Sequence, residues 1–312
     1  MSKPRPIVPG QVVAVTRRTV ARKFLLLPEA WVGDAFGYLL AHCAAQHEIG
    51  VVAGVVMSDH YHLMVVDRAG RLPAFMNELN AGMARVVNAM RGRAGAVWDE
   101  RQPHYQAMLD PRAALSVAAY QLANPVAAAL VEHGREWPGF RTTANQVGRA
   151  LVFARPSGAR RRGRDVSADG DPGAGGSAVV GRRGRGAVRG GARDVGGAAG
   201  GRRAAAGGGG GAALRGRRAG DGQDWNGEAV TAEARGRAAP VAAASDEARL
   251  VEYVSARRRF IALHAAAKAA FVAGTRDVVF PFGTWLMRVV FGASVARAPA
   301  CGSRPPRPFV QL

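Results

Sequence analysis

Residues 51–66 read VVAGVVMSDHYHLMVV, and this stretch decides the fold. Its first part, Val51 to Met57, is apolar and rich in valine, which predicts a buried strand. The pair Ser58-Asp59 is typical of a turn, and His60 to Val66 alternates in polarity as the return strand of a hairpin does. The stretch therefore predicts two antiparallel strands joined by a tight turn.

Segments on both sides of this hairpin extend it into a domain. Apolar residues at helical spacing predict helices, and short runs rich in β-branched residues predict further strands. The order strand, helix, hairpin, helix, strand, helix indicates an α+β fold, a ferredoxin-like small antiparallel sheet with helices packed on one face. The predicted strands outside the hairpin are 11–16 and 106–109, and the predicted helices are 29–48, 72–90 and 110–123.

The chain changes character after this domain. Residues 155–240 hold 25 of its 41 glycines, with Trp225 as their only aromatic residue. This composition buries too little apolar surface to offset the entropy of ordering, which predicts disorder. A genuine Arg/Gly tail and a frameshifted stretch of a GC-rich gene both explain it. We predict a folded domain at 8–150, a low-complexity disordered Gly-Ala-Arg-rich region at 151–245, and a C-terminal segment at 246–312.

The C-terminal segment regains regular patterns. Residues 248–274 have apolar side chains at helical spacing, which predicts a helix. Residues 277–290 read DVVFPFGTWLMRVV and predict a strand.

The formal charge of +20 points to a polyanionic partner, and to nucleic acid first. Only 3 of the 43 basic residues are lysines, so GC-rich coding explains part of the excess of arginine. Cys43 and Cys301 lie far apart, which indicates a reducing compartment without a disulfide framework. The N-terminus lacks the apolar segment of a signal peptide, and no apolar run is long enough to span a bilayer. We therefore expect a cytoplasmic protein without a membrane partner.

His60 and His62 are the first candidates for chemistry. Side chains i and i+2 of a strand point to one face, so the two imidazoles project side by side, while Tyr61 points towards the helices. Two imidazoles at that spacing can share one metal ion. The pattern is short, however, and two ordinary exposed strand histidines are its more common explanation.

Tyr120 and Asn124 lie one turn apart on the last predicted helix of the domain, so they share a face. A tyrosine hydroxyl can act as a covalent nucleophile, and an asparagine carbonyl is a suitable ligand for Mg²⁺ or Mn²⁺. Each residue also has an ordinary explanation, since Tyr120 fits a core position and Asn124 precedes Pro125 at a helix end.

Three motifs in sequence order resemble one family, the single-tyrosine HUH transposases with their insertion-sequence-200-like domain. Met57–Val65 (MSDHYHLMV) is similar to the family's MPNHxHLLV hairpin, with Asp59 where the family often has asparagine. Ala119–Val126 (AYQLANPV) is similar to its YxxxNPV helix. Between them, Asn88, the GAVW at 95–98 and Arg101 resemble its N…G…lWxxR stretch. Within the family, the chain is most similar to the REP-associated tyrosine transposases, over about residues 8–145.

The resemblance implies a metal-dependent DNA endonuclease and strand transferase that works in DNA transposition and recombination. His60, His62 and Asn124 would ligate a divalent metal ion, Mg²⁺ or Mn²⁺. Tyr120 would attack the phosphorus, form a 5′-phosphotyrosine and leave a free 3′-OH. The covalent link conserves the phosphodiester energy, so the resemblance implies no nucleotide cofactor.

Single-stranded or hairpin DNA is the expected partner, because the tyrosine must reach an unpaired backbone. The basic and aromatic residues predicted to contact it are Arg85, Arg91, Arg93, Trp98 and Arg101. The family leaves both a monomer and a homodimer open. The alternative function is a catalytically decayed or domesticated protein that binds DNA without nicking it; steeply salt-dependent binding that is indifferent to metal would favour it.

Overall fold

The computed structural model describes residues 3–146, 149–156, 177–180, 224–227 and 239–298, and of 177–180 only the backbone. Most of the region predicted to be disordered lies outside the described residues. The strands are β1 (Gln11–Arg18), β2 (Ile49–Val56), β3 (His60–Asp67), β4 (His104–Met108), β5 (Leu151–Ala154), β6 (Ser177–Val180) and β7 (Ala242–Ala243). The helices are α1 (Ala30–Gln46), α2 (Leu72–Met90), α3 (Pro111–Leu122), α4 (Asn124–Ala127), α5 (Glu247–Val272) and α6 (Leu286–Phe291). None of the helices in this described part is long and apolar enough to cross a membrane.

The main sheet has the strand order β2-β3-β1-β4-β7. All of its neighbours are antiparallel except β7, which runs parallel to β4. From β1 to β4 the elements alternate as β-α-β-β-α-β. The predicted α+β, ferredoxin-like class is therefore confirmed. The remaining two strands, β5 and β6, pair with each other.

Helices cover both faces of the sheet, whereas the sequence favoured one face. Helices α1 and α2 pack on the face that carries Tyr61, Leu63 and Val65 of β3. Helix α3 packs on the other face, against Val12 and Met64. The reason is that β1 and β3 are apolar on both sides, so each face needs a cover. Because β3 alternates, His60 and His62 lie on the α3 face.

Residues after 239 complete the edge of this sheet. The backbone N–H of Ala107 donates to Val241 O at 3.0 Å, and that of Leu109 donates to Ala243 O at 2.9 Å. Beyond this strand, the Ser245 N–H donates to the carboxylate of Asp110 at 2.6 Å, just before α5 begins. Strand β7 thus belongs to the main sheet, although it falls in the stretch predicted to be of low complexity.

The prediction of a helix at 248–274 is confirmed by α5, but the prediction of a strand at 277–290 is wrong. This stretch turns at Gly283, whose φ is +90°, and then forms α6. The hydroxyl of Thr284 donates to Pro281 O and closes the turn. Helical geometry lets Met287 pack into a small cluster with Phe280, which an extended chain interrupted by proline and glycine does not achieve.

Candidate active site

His60 and His62 face each other on β3. Their Nε2 atoms lie 3.1 Å apart, and their rings meet edge to face with centroids 4.8 Å apart. Two imidazole nitrogens that bind one metal ion at 2.0–2.1 Å are separated by about 2.8–3.4 Å for bond angles between octahedral and tetrahedral. The observed separation falls in that range, so the pair has the spacing of two ligands of one ion.

Asn124 reaches the histidine pair from the helices that cover this face of the sheet. Its Nδ2 lies 3.3 Å from His62 Nε2. Asn124 opens α4 immediately after α3, and the buried Pro125 behind it interrupts the hydrogen bonding between the two helices. The guanidinium of Arg141 donates to the free carbonyl of Leu122 at 3.1 Å and holds the end of α3. The structure therefore brings together all three residues predicted to bind metal.

The Nδ1 atom of each histidine has its own partner. His60 Nδ1 lies 2.6 Å from Asp59 Oδ1, and His62 Nδ1 lies 2.8 Å from Thr16 Oγ1. The other carboxylate oxygen of Asp59 accepts from Arg22 Nε at 3.1 Å. With both Nδ1 atoms engaged, the Nε2 atoms are the ones left to meet a ligand.

Asp59 is ionised in this setting. Burial by itself raises the pKa of its carboxyl, but the hydrogen bond and charge of His60, together with the charge of Arg22, hold that pKa below its usual range. A carboxylate is only an acceptor, so His60 carries a proton on Nδ1.

His62 is neutral. Burial first, and then the nearby charges of His60 and Arg18, together lower its pKa to about 3. The amide nitrogen of Asn124 only donates, so the lone pair of His62 lies on Nε2 and its proton on Nδ1, facing Thr16. A neutral imidazole is the form that ligates a metal ion, and it does so through such a lone pair.

The donor set fits a catalytic metal site better than a closed structural one. Among the described residues no cluster of three or more His, Cys, Asp and Glu side chains has the geometry to hold a metal ion. The candidate set is two imidazoles and one amide, which leaves positions for water or a phosphate oxygen, as open catalytic sites do.

Tyr120 lies on α3 one turn before Asn124, a rise of about 6 Å along the helix axis. It is 68% exposed, while its neighbour Gln121 is buried against the sheet. The core position that its sequence context also allowed is therefore ruled out. The Tyr120 hydroxyl, four positions before Asn124, is therefore accessible from solvent.

Trp98, which was predicted to contact DNA, lies on the face of the sheet opposite to the histidine pair. The Trp98 ring packs edge to face on Tyr61 with centroids 5.6 Å apart, and Tyr61 points to the α1–α2 face of the sheet. Its indole N–H donates to Asn80 O at 2.8 Å. Arg85 is exposed on α2, and the backbone N–H of Arg101 donates to a nearby carboxylate. A DNA contact by these three residues stays a prediction.

Arg91 and Arg93 have structural contacts that the sequence did not suggest. The Arg91 guanidinium pairs with Glu29 at 2.8 Å, and the side chain is only 8% exposed. Arg93 donates to Asn88 Oδ1 and to Ala96 O, both at 3.0 Å, which ties down the loop after α2. Neither side chain is brought to the histidine pair, and their predicted DNA contacts remain untested.

Sequence reasoning missed Thr16, Arg18 and the orienting role of Asp59. Thr16 pairs with His62 and Arg18 with His60 across the β1–β3 ladder, so both lie on the histidine face. The charge of Arg18 lowers the pKa of His62 and of His104, which pairs with Thr16 from the other side. The only sign of these roles in the sequence was that Thr16 and Arg18 lie two positions apart. This spacing can be interpreted only once the pairing of β1 with β3 is known.

Comparison with known proteins finds solved structures that match part of the chain. No protein-family model and no curated protein matches the chain. Two matching solved structures are a REP-associated tyrosine transposase bound to a REP hairpin and a "putative transposase" from Deinococcus radiodurans R1. Both matched structures are described as transposases. The first is 18% identical with a TM-score of 0.40, over 48% of this chain and 86% of its own. The second is 22% identical with a TM-score of 0.27, over 38% of this chain and 95% of its own.

Proposed function

We propose that the chain is a transposase-type DNA endonuclease and strand transferase that nicks single-stranded or hairpin DNA through Tyr120. One observation carries the proposal. The Nε2 atoms of His60 and His62 lie 3.1 Å apart and meet the side chain of Asn124, one helical turn from an exposed tyrosine.

His60, His62 and Asn124 are the residues that would hold a divalent ion, Mg²⁺ or Mn²⁺. Asn124 would offer its amide oxygen, which suits these ions, and the imidazoles favour Mn²⁺ over Mg²⁺. When bound, such an ion supplies Lewis acidity towards a phosphate oxygen and orients the phosphate.

Tyr120 is the proposed nucleophile. Its hydroxyl oxygen attacks the phosphorus as the phenolic proton passes to solvent water, and a Tyr–O–P bond forms as the P–O3′ bond breaks. The leaving O3′ takes up a proton and becomes a free 3′-OH, and the other DNA end stays attached as a 5′-phosphotyrosine. Attack by a second 3′-OH reverses these steps and joins two strands. One ester replaces another, so the cycle needs no nucleotide cofactor.

Positive charge on the histidine face supports a DNA substrate. Arg18 is exposed and stands across from His60, where a phosphate at the proposed site would meet its guanidinium. One of the structures that the chain resembles is described as bound to a REP hairpin, which makes hairpin DNA the first substrate to test. Cytoplasmic location and a monomeric or homodimeric state remain predictions.

A nicking assay tests the proposal. The purified chain is incubated with Mn²⁺ and a pool of end-labelled hairpin and single-stranded oligonucleotides, and products are resolved on denaturing gels. Wild type should cut and Tyr120→Phe should not, because the variant lacks only the attacking oxygen. Tyr38→Phe, on the surface of α1, is the matched control and should cut like wild type.

Two results would refute the proposal. Equal cutting by Tyr120→Phe would show that the nucleophile is wrongly assigned. Metal-independent, salt-sensitive DNA binding by wild type without any cutting would favour the alternative of a decayed or domesticated DNA-binding protein.

A further inference from the structure

We propose that Asp59 and Thr16 are positioning residues that aim the two histidines at one shared cation, and that Arg22 holds Asp59 for this task. The inference rests on the proposed metal site and extends it to three residues that touch neither DNA nor the ion. Two sets of contacts support the site. The charged arm is the contact of His60 with Asp59 and, through Asp59, with Arg22. The neutral arm is the contact of His62 with Thr16.

The charged arm begins at a rigid turn. Asp59 is only 6% exposed, and its backbone carbonyl accepts from both the N–H and the hydroxyl of Thr19, at 2.8 and 2.9 Å. One of its carboxylate oxygens lies 2.6 Å from His60 Nδ1, and the other accepts from Arg22 Nε at 3.1 Å. With backbone and side chain both held, Asp59 has one orientation from which to direct the His60 ring.

The backbone at Ala21 and Arg22 has an unusual conformation that belongs to the charged arm. Ala21 and Arg22 have φ values of +49° and +54°, in the left-handed region that non-glycine residues rarely adopt. Two such residues in succession persist only where the surroundings compensate for them. This backbone turn brings the Arg22 guanidinium to the Asp59 carboxylate. The resulting ion pair is one favourable contact that offsets the strain.

The neutral arm comes from the neighbouring strand. Thr16 is the direct partner of His62 in the β1–β3 ladder, and its hydroxyl lies 2.8 Å from Nδ1. Since the amide of Asn124 donates to Nε2 of His62, the threonine hydroxyl accepts the Nδ1 proton. Thr16 therefore fixes the orientation of the His62 ring and its tautomer without adding charge.

The two arms act together at the Nε2 atoms. With both Nδ1 atoms held from outside, the rings turn their Nε2 atoms towards each other at 3.1 Å. That separation is the one expected for two imidazole ligands of one metal ion. The arms therefore hold the rings in an arrangement that suits a bound cation. Outer partners of this kind contribute about 10–100-fold to metal affinity.

Mn²⁺ binding to the full chain without DNA tests the inference. Free Mn²⁺ is followed by electron paramagnetic resonance during titration, and thermal unfolding of the metal-free proteins checks that each variant folds. Thr16→Val should weaken binding about 10-fold or more, because its isosteric side chain cannot accept the Nδ1 proton. Thr16→Ser should restore near wild-type affinity. Asp59→Asn should weaken binding about 10–100-fold, since the neutral amide makes His60 a poorer ligand.

Matched controls are Thr275→Val and Asp34→Asn, both at exposed positions away from the site. They should bind Mn²⁺ like wild type. If wild type binds and Thr16→Val and Asp59→Asn fold and bind equally well, the positioning roles are refuted and the metal site stands. If wild type itself binds no Mn²⁺, the metal site and this inference both fall, whereas nicking by Tyr120 is tested separately.

Discussion

At the scale of single residues, His62 connects all the parts of the proposed site. It meets His60 on its own strand, Asn124 from α3–α4 and Thr16 from β1. Its neutral state follows from burial and from the positive charges around it. Because both of its nitrogens are held, the His62 ring has little rotational freedom. We expect a substitution at this position to reduce metal affinity more than it reduces the free energy of unfolding.

Replacement of His62 by alanine should remove the response to metal. We expect His62→Ala to lose Mn²⁺-dependent nicking, at least 100-fold as an order of magnitude for the loss of a ligand together with its aligned neighbour. The measurement is the nicking rate at a fixed Mn²⁺ concentration. His42→Ala, on α1, serves as the control and should nick normally. Unchanged nicking by His62→Ala would remove this residue from the site.

Arg18 provides a second prediction at this scale. It stands across from His60, so a phosphate bound at the histidine pair lies within reach of its guanidinium. Arg18→Ala should weaken hairpin DNA binding at all sequences alike and lower the slope of log K against log salt by about 1. Fluorescence anisotropy at several salt concentrations measures that slope. An unchanged slope would place the phosphate elsewhere.

At the scale of elements, the hairpin could be predicted and the contacts between elements could not. The β2–β3 hairpin is local, and alternation along β3 correctly placed His60 and His62 on one face and Tyr61 on the other. The contact of Thr16 with His62 spans 46 positions, and that of Asn124 with His62 spans 62. Such pairs depend on strand register and helix placement, which a single sequence does not specify.

The start of helix α3 was predicted from the sequence to within one residue. Asp110 followed by Pro111 is a typical helix start, and the Asp110 carboxylate caps α3 by accepting from the Ala113 N–H at 2.8 Å. The same carboxylate also accepts from the Ser245 N–H at 2.6 Å, which ties the C-terminal segment to α3. Asp110→Ala should therefore reduce the free energy of unfolding by about 1–2 kcal/mol, measured by urea denaturation at pH 7.

The contribution of Asp110 should also depend on pH. Burial by itself raises the pKa of its carboxyl, but the amides of Ala113 and Ser245 hold that pKa below its usual value. A pKa that is lower in the folded state stabilises the protein above the unfolded value of about 4, and this stabilisation is lost as the pH falls through the folded value.

The test compares wild type with Asp110→Asn, which keeps an N-cap acceptor without the charge. The stability difference between the two should be present at pH 6 and shrink below pH 4. A difference that is constant between pH 3 and 7 would contradict the assigned ionisation.

At the scale of the whole molecule, the main sheet combines residues from distant parts of the chain. Strand β7 is only two alanines, and it joins β4 through backbone hydrogen bonds. Neither hydrophobic pattern nor composition marks such a strand, which is why the sequence placed it in a low-complexity region. The face of the sheet that holds the site was also beyond prediction, because it follows from α3 packing opposite α1 and α2.

Metal binding should stabilise the whole fold. An ion that binds only the folded state adds about 2.7 kcal/mol at a concentration 100-fold above its Kd. For a domain of this size, that corresponds to a rise in Tm of about 5–10 °C. Differential scanning fluorimetry with and without Mn²⁺ measures the shift, with His60→Ala as a control that should show none. An equal shift in wild type and His60→Ala would mean that Mn²⁺ binds elsewhere.

The most direct test of the central claim is the position of the covalent bond to DNA. The chain is allowed to react with a hairpin oligonucleotide and Mn²⁺, digested with nuclease and protease, and mapped by mass spectrometry. The account predicts a nucleotide 5′-phosphate on the peptide that contains Tyr120, absent without metal and absent in the His60→Ala and His62→Ala variants. An adduct on any other residue, or an adduct on Tyr120 that forms equally well in both histidine variants, would contradict it.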